Sequence, residues 1–205
     1  MCINLLELPG IYRPFHELTL FSFRHACTDA GITLSEDDES RIMAAYNGLA
    51  SFPDADKGLI TVSSNLSKLD AWVFSNGTRA MVASSLNTSP SLTSPATAAG
   101  ILEPGSKEKI VSIDDEVKVY KPDPRTYSHM IQIAGAATPG DVWLVSSNPF
   151  DALGAVSAGM KSAWVDRKGH GWVDGLAGAL GKKPTVVVKG VDEAIDEILR
   201  LSTRV

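Results

Sequence analysis

The chain has 205 residues, of which 44% are hydrophobic and 21% are charged, and its formal net charge is −5. This composition excludes a chain that is disordered throughout, and the length fits one α/β domain with a small appendage better than two full domains. The slight acidic excess offers no basic surface to a phosphate backbone, so we expect no nucleic-acid partner.

The cysteines and the N-terminal stretch favour an intracellular protein. Cys2 and Cys27 have neither a CxxC spacing nor a disulfide framework. Residues 1–15 contain an acid and two prolines, which is unlike a signal peptide. The longest uncharged stretch, residues 80–102, is interrupted by two prolines and rich in hydroxyl side chains, so we do not expect it to span a membrane. The sequence therefore predicts a cytoplasmic protein without a membrane partner.

Two helices are predicted in the first quarter of the chain. Apolar residues recur at helical spacing through residues 14–49, with a break at Gly31. Ser35 is a candidate N-cap for the second helix, and the acids that follow it suit a helix start.

The rest of the chain alternates between short apolar strands and helical stretches. Strands are predicted over residues 71–74, 142–145, 163–165 and 185–188, and helices over residues 124–134, 149–158 and 191–201. This alternation is typical of an α/β fold whose parallel sheet is covered by helices on both faces. Residues 84–100, rich in Ser, Thr, Pro and Ala, are predicted to form a long surface loop.

Ligands of such sheets bind at the carboxyl ends of the strands, where this sequence places polar residues twice. Ser75-Asn76-Gly77 follows one predicted strand, and Ser146-Ser147-Asn148 follows another, with Asp151 three positions later. Between them, Lys121 is stiffened by the prolines that follow it. Together these segments predict a site for a small anion.

These segments resemble the second, third and fourth motifs of the haloacid dehalogenase superfamily. The stretch Tyr120-Lys121-Pro122-Asp123-Pro124-Arg125-Thr126-Tyr127 and the Ser-Ser-Asn-x-x-Asp form of the last motif are similar to those of type II 2-haloacid dehalogenases. The resemblance covers residues 14–188. It implies a small α-helical cap, present in part over residues 1–51, and a Rossmann-like core over residues 52–205.

The resemblance also implies a covalent mechanism for hydrolysing a 2-haloacid. An Asp attacks the carbon that bears the halogen, and water then hydrolyses the resulting ester. The substrate-binding residues implied are Ser75, Asn76 and Tyr127. The residues implied to assist catalysis are Lys121, Ser146, Asn148 and Asp151. In these roles, Lys121 holds the charge of the nucleophile and the substrate, and Asp151 holds Lys121 or activates the water.

The nucleophile motif of the superfamily, Asp-x-x-Gly-Thr, does not occur in the sequence. Asp29 is followed four residues later by Thr33, but the helical pattern before it is not a buried strand, and we interpret this spacing as coincidence. The family also has an arginine in its cap that binds the carboxylate or the halide, and neither Arg13 nor Arg24 matches its position. We therefore expect the 205 residues to be a truncated gene product or a partial isoform.

The missing segment would include a central strand between the strands that end near Ser75 and Ser146. Unpaired buried backbone groups cost on the order of 1–3 kcal/mol each. We therefore expect this chain, expressed alone, to aggregate or to form a molten state.

Two alternatives remain open at this stage. A phosphatase of the same superfamily would use the same Ser, Lys and Asp positions with magnesium, whereas a catalytically inactive paralogue would bind a small anion or a protein partner. The dehalogenase interpretation is favoured because Asp151 is a single acid where magnesium-dependent members carry a pair, and it requires no cofactor or metal. Its expected partners are a small 2-haloacid-like anion and a second copy of the chain in a homodimer.

Overall fold

The computed structural model describes residues 12–46, 51–88, 90–102 and 109–202, which form an α/β fold. Its helices are α1 (Phe15–Asp29), α2 (Glu36–Tyr46), α3 (Pro53–Ser63), α4 (Arg79–Thr88), α5 (Pro90–Ala98), α6 (Ile113–Glu116), α7 (Pro124–Ala134), α8 (Pro149–Ser157), α9 (Leu176–Leu180) and α10 (Val191–Ser202). Its strands are β1 (Val73–Ser75), β2 (Ile110–Ser112), β3 (Trp143–Ser146), β4 (Lys161–Val165) and β5 (Val186–Val188).

All strand pairs are parallel, and within the described residues they form two sheets. One sheet pairs β1 with β2, and the other has the order β3-β4-β5. In the first sheet Ser75 lies beside Ser112, and in the second Ser146 lies beside Trp164. The polar ends of β1, β2 and β3 are therefore all carboxyl ends, as parallel strands require.

Helices cover both faces of the strands, and β2 shows this most directly. Ile110 packs with residues of α3, α5 and α10, whereas its neighbour Val111 packs with Leu18 of α1 and Met130 of α7. Because successive side chains of a strand point to opposite faces, β2 is buried on both sides. The predicted α/β class with a Rossmann-like, doubly covered parallel sheet is confirmed.

Helix α7 begins and ends at the predicted residues because both ends carry strong local signals. The Asp123 side chain accepts a hydrogen bond from the Arg125 amide at 2.8 Å, and Pro124 occupies the first helical position. Gly135, with φ of 63°, ends the helix in the left-handed conformation that glycine adopts without strain. Helix α7 carries Tyr127, so these caps help to position the site described below.

The prediction of a surface loop over residues 84–100 is wrong, because α4 and α5 occupy this stretch. The hydroxyls of Ser85 and Thr97 donate to the backbone carbonyls four residues earlier, at 3.1 and 2.9 Å, so they are satisfied inside a helix. Leu86 and Ala96 are buried in the same apolar cluster as α3 and α10. The burial of Leu86 and Ala96 outweighs the weak helix propensity of Ser and Thr.

The other predicted elements are present with small shifts. The four predicted strands correspond to β1, β3, β4 and β5, displaced by no more than two residues at either end, and the predicted helices correspond to α1, α2, α7, α8 and α10. Strand β2 was missed. The division into a cap over residues 1–51 and a core over residues 52–205 stays a prediction. None of the described helices is long and apolar enough to cross a membrane.

Candidate active site

A buried ion pair joins the ends of the two sheets. The Lys121 Nζ atom lies 2.8 Å from the Asp151 Oδ2 atom, and the two side chains are only 8% and 4% exposed. Lys121 follows β2 and α6 in the chain, while Asp151 lies in the first turn of α8, directly after β3. A buried charge of either sign is costly alone, so each side chain depends on the other.

The Asp151 carboxylate accepts hydrogen bonds from two further side chains. The Tyr127 hydroxyl donates to Oδ1 at 2.9 Å, and the Ser146 hydroxyl donates to Oδ2 at 3.1 Å. Burial raises the pKa of the Tyr127 phenol, and the negative charge of Asp151 raises it further. Tyr127 therefore stays protonated at neutral pH and remains a donor to the carboxylate.

Lys121 also makes two contacts with the end of β1. Its Nζ atom donates to the Phe74 carbonyl at 3.1 Å and lies 4.3 Å from the centre of the Phe74 ring. Its backbone amide donates to the Asn76 side-chain oxygen at 2.9 Å. The Ser75 hydroxyl oxygen accepts from the Gly77 amide at 3.0 Å, which shapes the turn after β1. These contacts place the ammonium group beside the Ser75-Asn76-Gly77 turn.

A cavity of about 930 Å³ opens beside these groups, between β1 and β3. The predicted site residues on its wall are Ser75, Asn76, Lys121, Ser146, Asn148 and Asp151. Asn148 is exposed, and its backbone amide donates to the Ser146 hydroxyl oxygen at 3.2 Å. Tyr127 is completely buried behind Asp151, with its ring edge against Phe74, and is not part of the wall.

Two residues that support the site were missed in the sequence. Ser112, at the end of β2, is fully buried, and its hydroxyl donates to the Gly77 carbonyl at 2.9 Å. Gly154 lies against the Tyr127 ring so closely that an added Cβ would be 2.7 Å from Cε2. No motif points to Ser112, whereas the glycine in α8, three residues after Asp151, could have indicated a close approach.

Three residues weighed for the nucleophile and for the cap arginine lie elsewhere. Asp29 is the last residue of α1 and is not at the end of a strand, so its spacing to Thr33 is indeed coincidental. Arg24 forms a two-pronged ion pair with Glu39, with both N–O distances at 2.6 Å. Arg13 is mostly exposed and lies 3.7 Å from the Glu17 carboxylate.

The assembled groups are suited to binding and polarising a small anion. The ammonium group of Lys121 has three donors, and among the described residues Asp151 and Phe74 take two of them, which leaves the third for a ligand at the cavity wall. Ser75, Asn76 and Ser146 add polar side chains around it. No group of three or more His, Cys, Asp and Glu side chains suited to a metal ion occurs in the described parts of the chain.

Comparisons with known proteins found similar haloacid dehalogenases. An (S)-2-haloacid dehalogenase of Pseudomonas putida is 30% identical over 197 residues, which are 95% of this chain and 78% of that enzyme. The structure of an L-2-haloacid dehalogenase superposes with a TM-score of 0.78 at 23% identity, covering 96% of this chain and 79% of that one.

A third similar protein has a ligand attached. It is the L-2-haloacid dehalogenase of Xanthobacter autotrophicus, solved with chloropropionic acid covalently bound. It is 25% identical with a TM-score of 0.69, and the match covers 96% of this chain and 80% of that one. No family model matches the chain.

Proposed function

The chain belongs to the family of (S)-2-haloacid dehalogenases, and we propose that the complete protein hydrolyses the carbon–halogen bond of a small 2-haloacid. The products are the 2-hydroxy acid, the halide ion and a proton. The observation that carries the proposal is the buried pair of Lys121 and Asp151 at the carboxyl ends of β1 and β3. This pair holds the Lys121 ammonium group at the wall of the cavity, where its positive charge can bind an anionic substrate.

The turn after β1 and the Lys121 side chain bind the substrate. The Ser75 hydroxyl and the Asn76 amide group are donors on the cavity wall. They can bind the substrate carboxylate or the side of the substrate that carries the halogen. The Asn76 oxygen already accepts from the Lys121 amide, so its NH₂ group is the part left for the ligand. Lys121 then holds the negative charge of the substrate and of the nucleophile together.

Asp151 serves to hold Lys121, with help from its neighbours. Three donors, from Lys121, Tyr127 and Ser146, already occupy the carboxylate oxygens, which supports a positioning role over that of a base acting on water. Tyr127 positions the carboxylate from behind and does not line the pocket. Ser146, oriented by the Asn148 amide, completes the support.

The reaction begins with a carboxylate attack that displaces the halide. A carboxylate oxygen bonds to the carbon, the carbon–halogen bond breaks, and the halide leaves with the electron pair. Water then cleaves the ester to give the hydroxy acid and regenerate the carboxylate. The covalently bound chloropropionic acid in the Xanthobacter enzyme supports a covalent step. Because Lys121, Tyr127 and Ser146 already occupy the Asp151 carboxylate, we assign the attack to a second carboxylate, which the complete protein supplies.

The direct test is chloride release by the complete protein from the separate enantiomers of 2-chloropropionate. We expect release from the (S) enantiomer, and we expect Lys121→Met to lower kcat/KM by about a hundredfold or more because the charge is lost while the stem remains. Lys168→Met is the matched control, since Lys168 is exposed and does not line the cavity, and kcat/KM of this variant should be unchanged.

Three results would contradict the proposal. Calorimetric binding of chloropropionate without chloride release would indicate an inactive anion-binding paralogue. Hydrolysis of phosphate esters that a chelator abolishes would indicate a phosphatase of the same superfamily. Equal activity of the Lys121→Met and Lys168→Met variants would show that Lys121 has no role in the reaction.

A further inference from the structure

The dipeptide Asn76-Gly77, in the turn after β1, has a chemical property that the proposed function does not use. It is one of two Asn-Gly dipeptides in the sequence, and the other, Asn47-Gly48, lies outside the described residues. Asparagine is among the thermolabile residues of proteins, because its side-chain amide can be lost as ammonia. Glycine has no Cβ, so the path from its nitrogen to the preceding side chain is open. Asn76 is therefore a candidate for deamidation.

Deamidation at this position needs only the groups of the dipeptide and water. The Gly77 nitrogen loses its proton and bonds to the Asn76 Cγ atom. The bond from Cγ to the side-chain nitrogen then breaks, and ammonia leaves with the bonding electron pair and a proton. Water opens the resulting succinimide ring at either of its carbonyl groups, which leaves an aspartate or an isoaspartate. The side-chain amide is hydrolysed, and nothing is oxidised or reduced.

Two hydroxyl groups hold the Gly77 backbone away from this reaction. The Gly77 amide donates to the Ser75 hydroxyl oxygen at 3.0 Å, and the Gly77 carbonyl accepts from the Ser112 hydroxyl at 2.9 Å. Ser75 and Ser112 lie side by side at the paired ends of β1 and β2, so strand pairing places both hydroxyls. The amide has to give up its bond to Ser75 before its nitrogen can attack, and the bond from Ser112 resists the rotation that the attack requires.

A third contact, to the Asn76 side chain, acts in the opposite direction. The Lys121 amide donates to the Asn76 Oδ1 atom at 2.9 Å. This oxygen gains negative charge as Cγ is attacked, and a donor placed there stabilises that charge. The turn therefore contains an activated carbon next to a restrained nucleophile. It follows that the restraint on the Gly77 nitrogen sets the rate.

We propose that Asn76 is a site of spontaneous deamidation, and that the hydrogen bonds of Gly77 with Ser75 and Ser112 control its rate. The product has a carboxylate in place of the amide, and isoaspartate also lengthens the backbone of the turn by a methylene. The modification itself stands on the geometry of the turn. Its effect on activity rests on the proposed function, because the Asn76 NH₂ donor is lost and the new negative charge repels an anionic substrate.

The test incubates the complete protein at mildly alkaline pH, where the attacking amide loses its proton more readily. The fragment that contains Asn76 is followed by mass spectrometry after digestion. Ser75→Ala removes the acceptor of the Gly77 amide, so we expect the rate to rise by about two- to tenfold, the factor that corresponds to one hydrogen bond. Ser128→Ala is the matched control, since this exposed hydroxyl donates to the Pro124 carbonyl within α7, and the rate at Asn76 should be unchanged.

A second variant tests the nucleophile with little effect on packing. Gly77→Ala adds a Cβ that would lie 3.4 Å from the Ser75 Oγ atom and 3.8 Å from the Met81 Sδ atom, which are ordinary contacts. This Cβ crowds the path to the Asn76 side chain, so the rate should fall several-fold below that of the wild-type protein. In urea the hydrogen bonds of the turn are absent, so the wild-type protein and Ser75→Ala should react at one common, faster rate.

Four outcomes would overturn the proposal. The first is a Ser75→Ala rate equal to that of Ser128→Ala in the folded protein, which means that the hydroxyl does not restrain Gly77. The second is a folded wild-type protein that loses the Asn76 amide as fast as it does in urea. The third is a Gly77→Ala rate no lower than the wild-type rate, and the fourth is an Asn76 amide that stays intact in urea. None of these measurements uses chloride release, so their failure is distinct from failure of the proposed function.

Discussion

The buried pair of Lys121 and Asp151 allows one stability prediction to be worked through in numbers. Asp151→Asn keeps the shape of the side chain but removes the charge opposite a lysine that is 8% exposed. Breaking a buried pair by removing one partner costs about 3–5 kcal/mol, because the other charge stays buried without compensation. With a slope of about 2 kcal/mol per molar urea, the unfolding midpoint should fall by roughly 1.5–2.5 M.

The second half of this prediction concerns the double variant. Lys121→Met removes the positive charge while keeping an apolar stem of similar length, so it should recover part of the loss that Asp151→Asn causes. We expect a coupling energy of about 1–3 kcal/mol from the full double-mutant cycle. The free energies of unfolding are measured by urea titration and tryptophan fluorescence on the single and double variants of the complete protein.

The control for this cycle is an exposed ion pair of the same protein. Arg13 and Glu17 lie 3.7 Å apart with side chains that are 58% and 34% exposed, so Glu17→Gln should cost about 0.5 kcal/mol or less. Two results would refute the reasoning. One is an Asp151→Asn cost no larger than that of Glu17→Gln, and the other is a double variant that loses the full sum of the two single losses.

Two further predictions concern packing and acid stability. Gly154→Ala would place a Cβ 2.5 Å from the Cζ atom of the Tyr127 ring, so we expect a loss of about 1–3 kcal/mol in urea unfolding. Gly178→Ala meets no described atom within 4 Å and should cost nothing, and equal midpoints for the two variants would contradict this packing. Hydrogen bonds from Arg167 hold the pKa of Asp54 below its usual value, so the stability from this pair is complete above about pH 4 and is lost as the pH falls through the lower folded-state pKa. Asp54→Asn should therefore flatten the decline of unfolding free energy between about pH 5 and pH 2, and an unchanged decline would show that other carboxylates cause it.

Local chemistry explains why much of the fold could be predicted. Helix α7 is predicted at its observed bounds because Asp123, Pro124 and Gly135 are cap residues whose preferences do not depend on the rest of the chain. Residues 84–100 were predicted incorrectly because hydroxyl side chains can satisfy either a loop or a helix. The choice between the two was made by packing of Leu86 and Ala96 against α3 and α10, which the sequence does not display.

The candidate site was also predicted only in part from the sequence. The polar turns at Ser75 and Ser146 are visible as residue types at predicted strand ends, and Lys121 is visible as a lysine followed by two prolines. Strand β2 was not predicted because a strand of three residues, of which two are apolar, shows no periodicity. The support that Ser112 gives to the site was missed with it.

By itself, the sequence determined the alternation of strands and helices, the N-cap of α2 at Ser35 and the identity of the polar groups at the strand ends. These features depend on neighbours a few positions apart, where spacing and side-chain chemistry are sufficient. Only the tertiary structure decided that Lys121 meets Asp151, 30 positions later, and that β1 and β3 face one cavity. Such contacts depend on how separate elements pack, because burial makes a charge require a partner only after the chain has brought the two together.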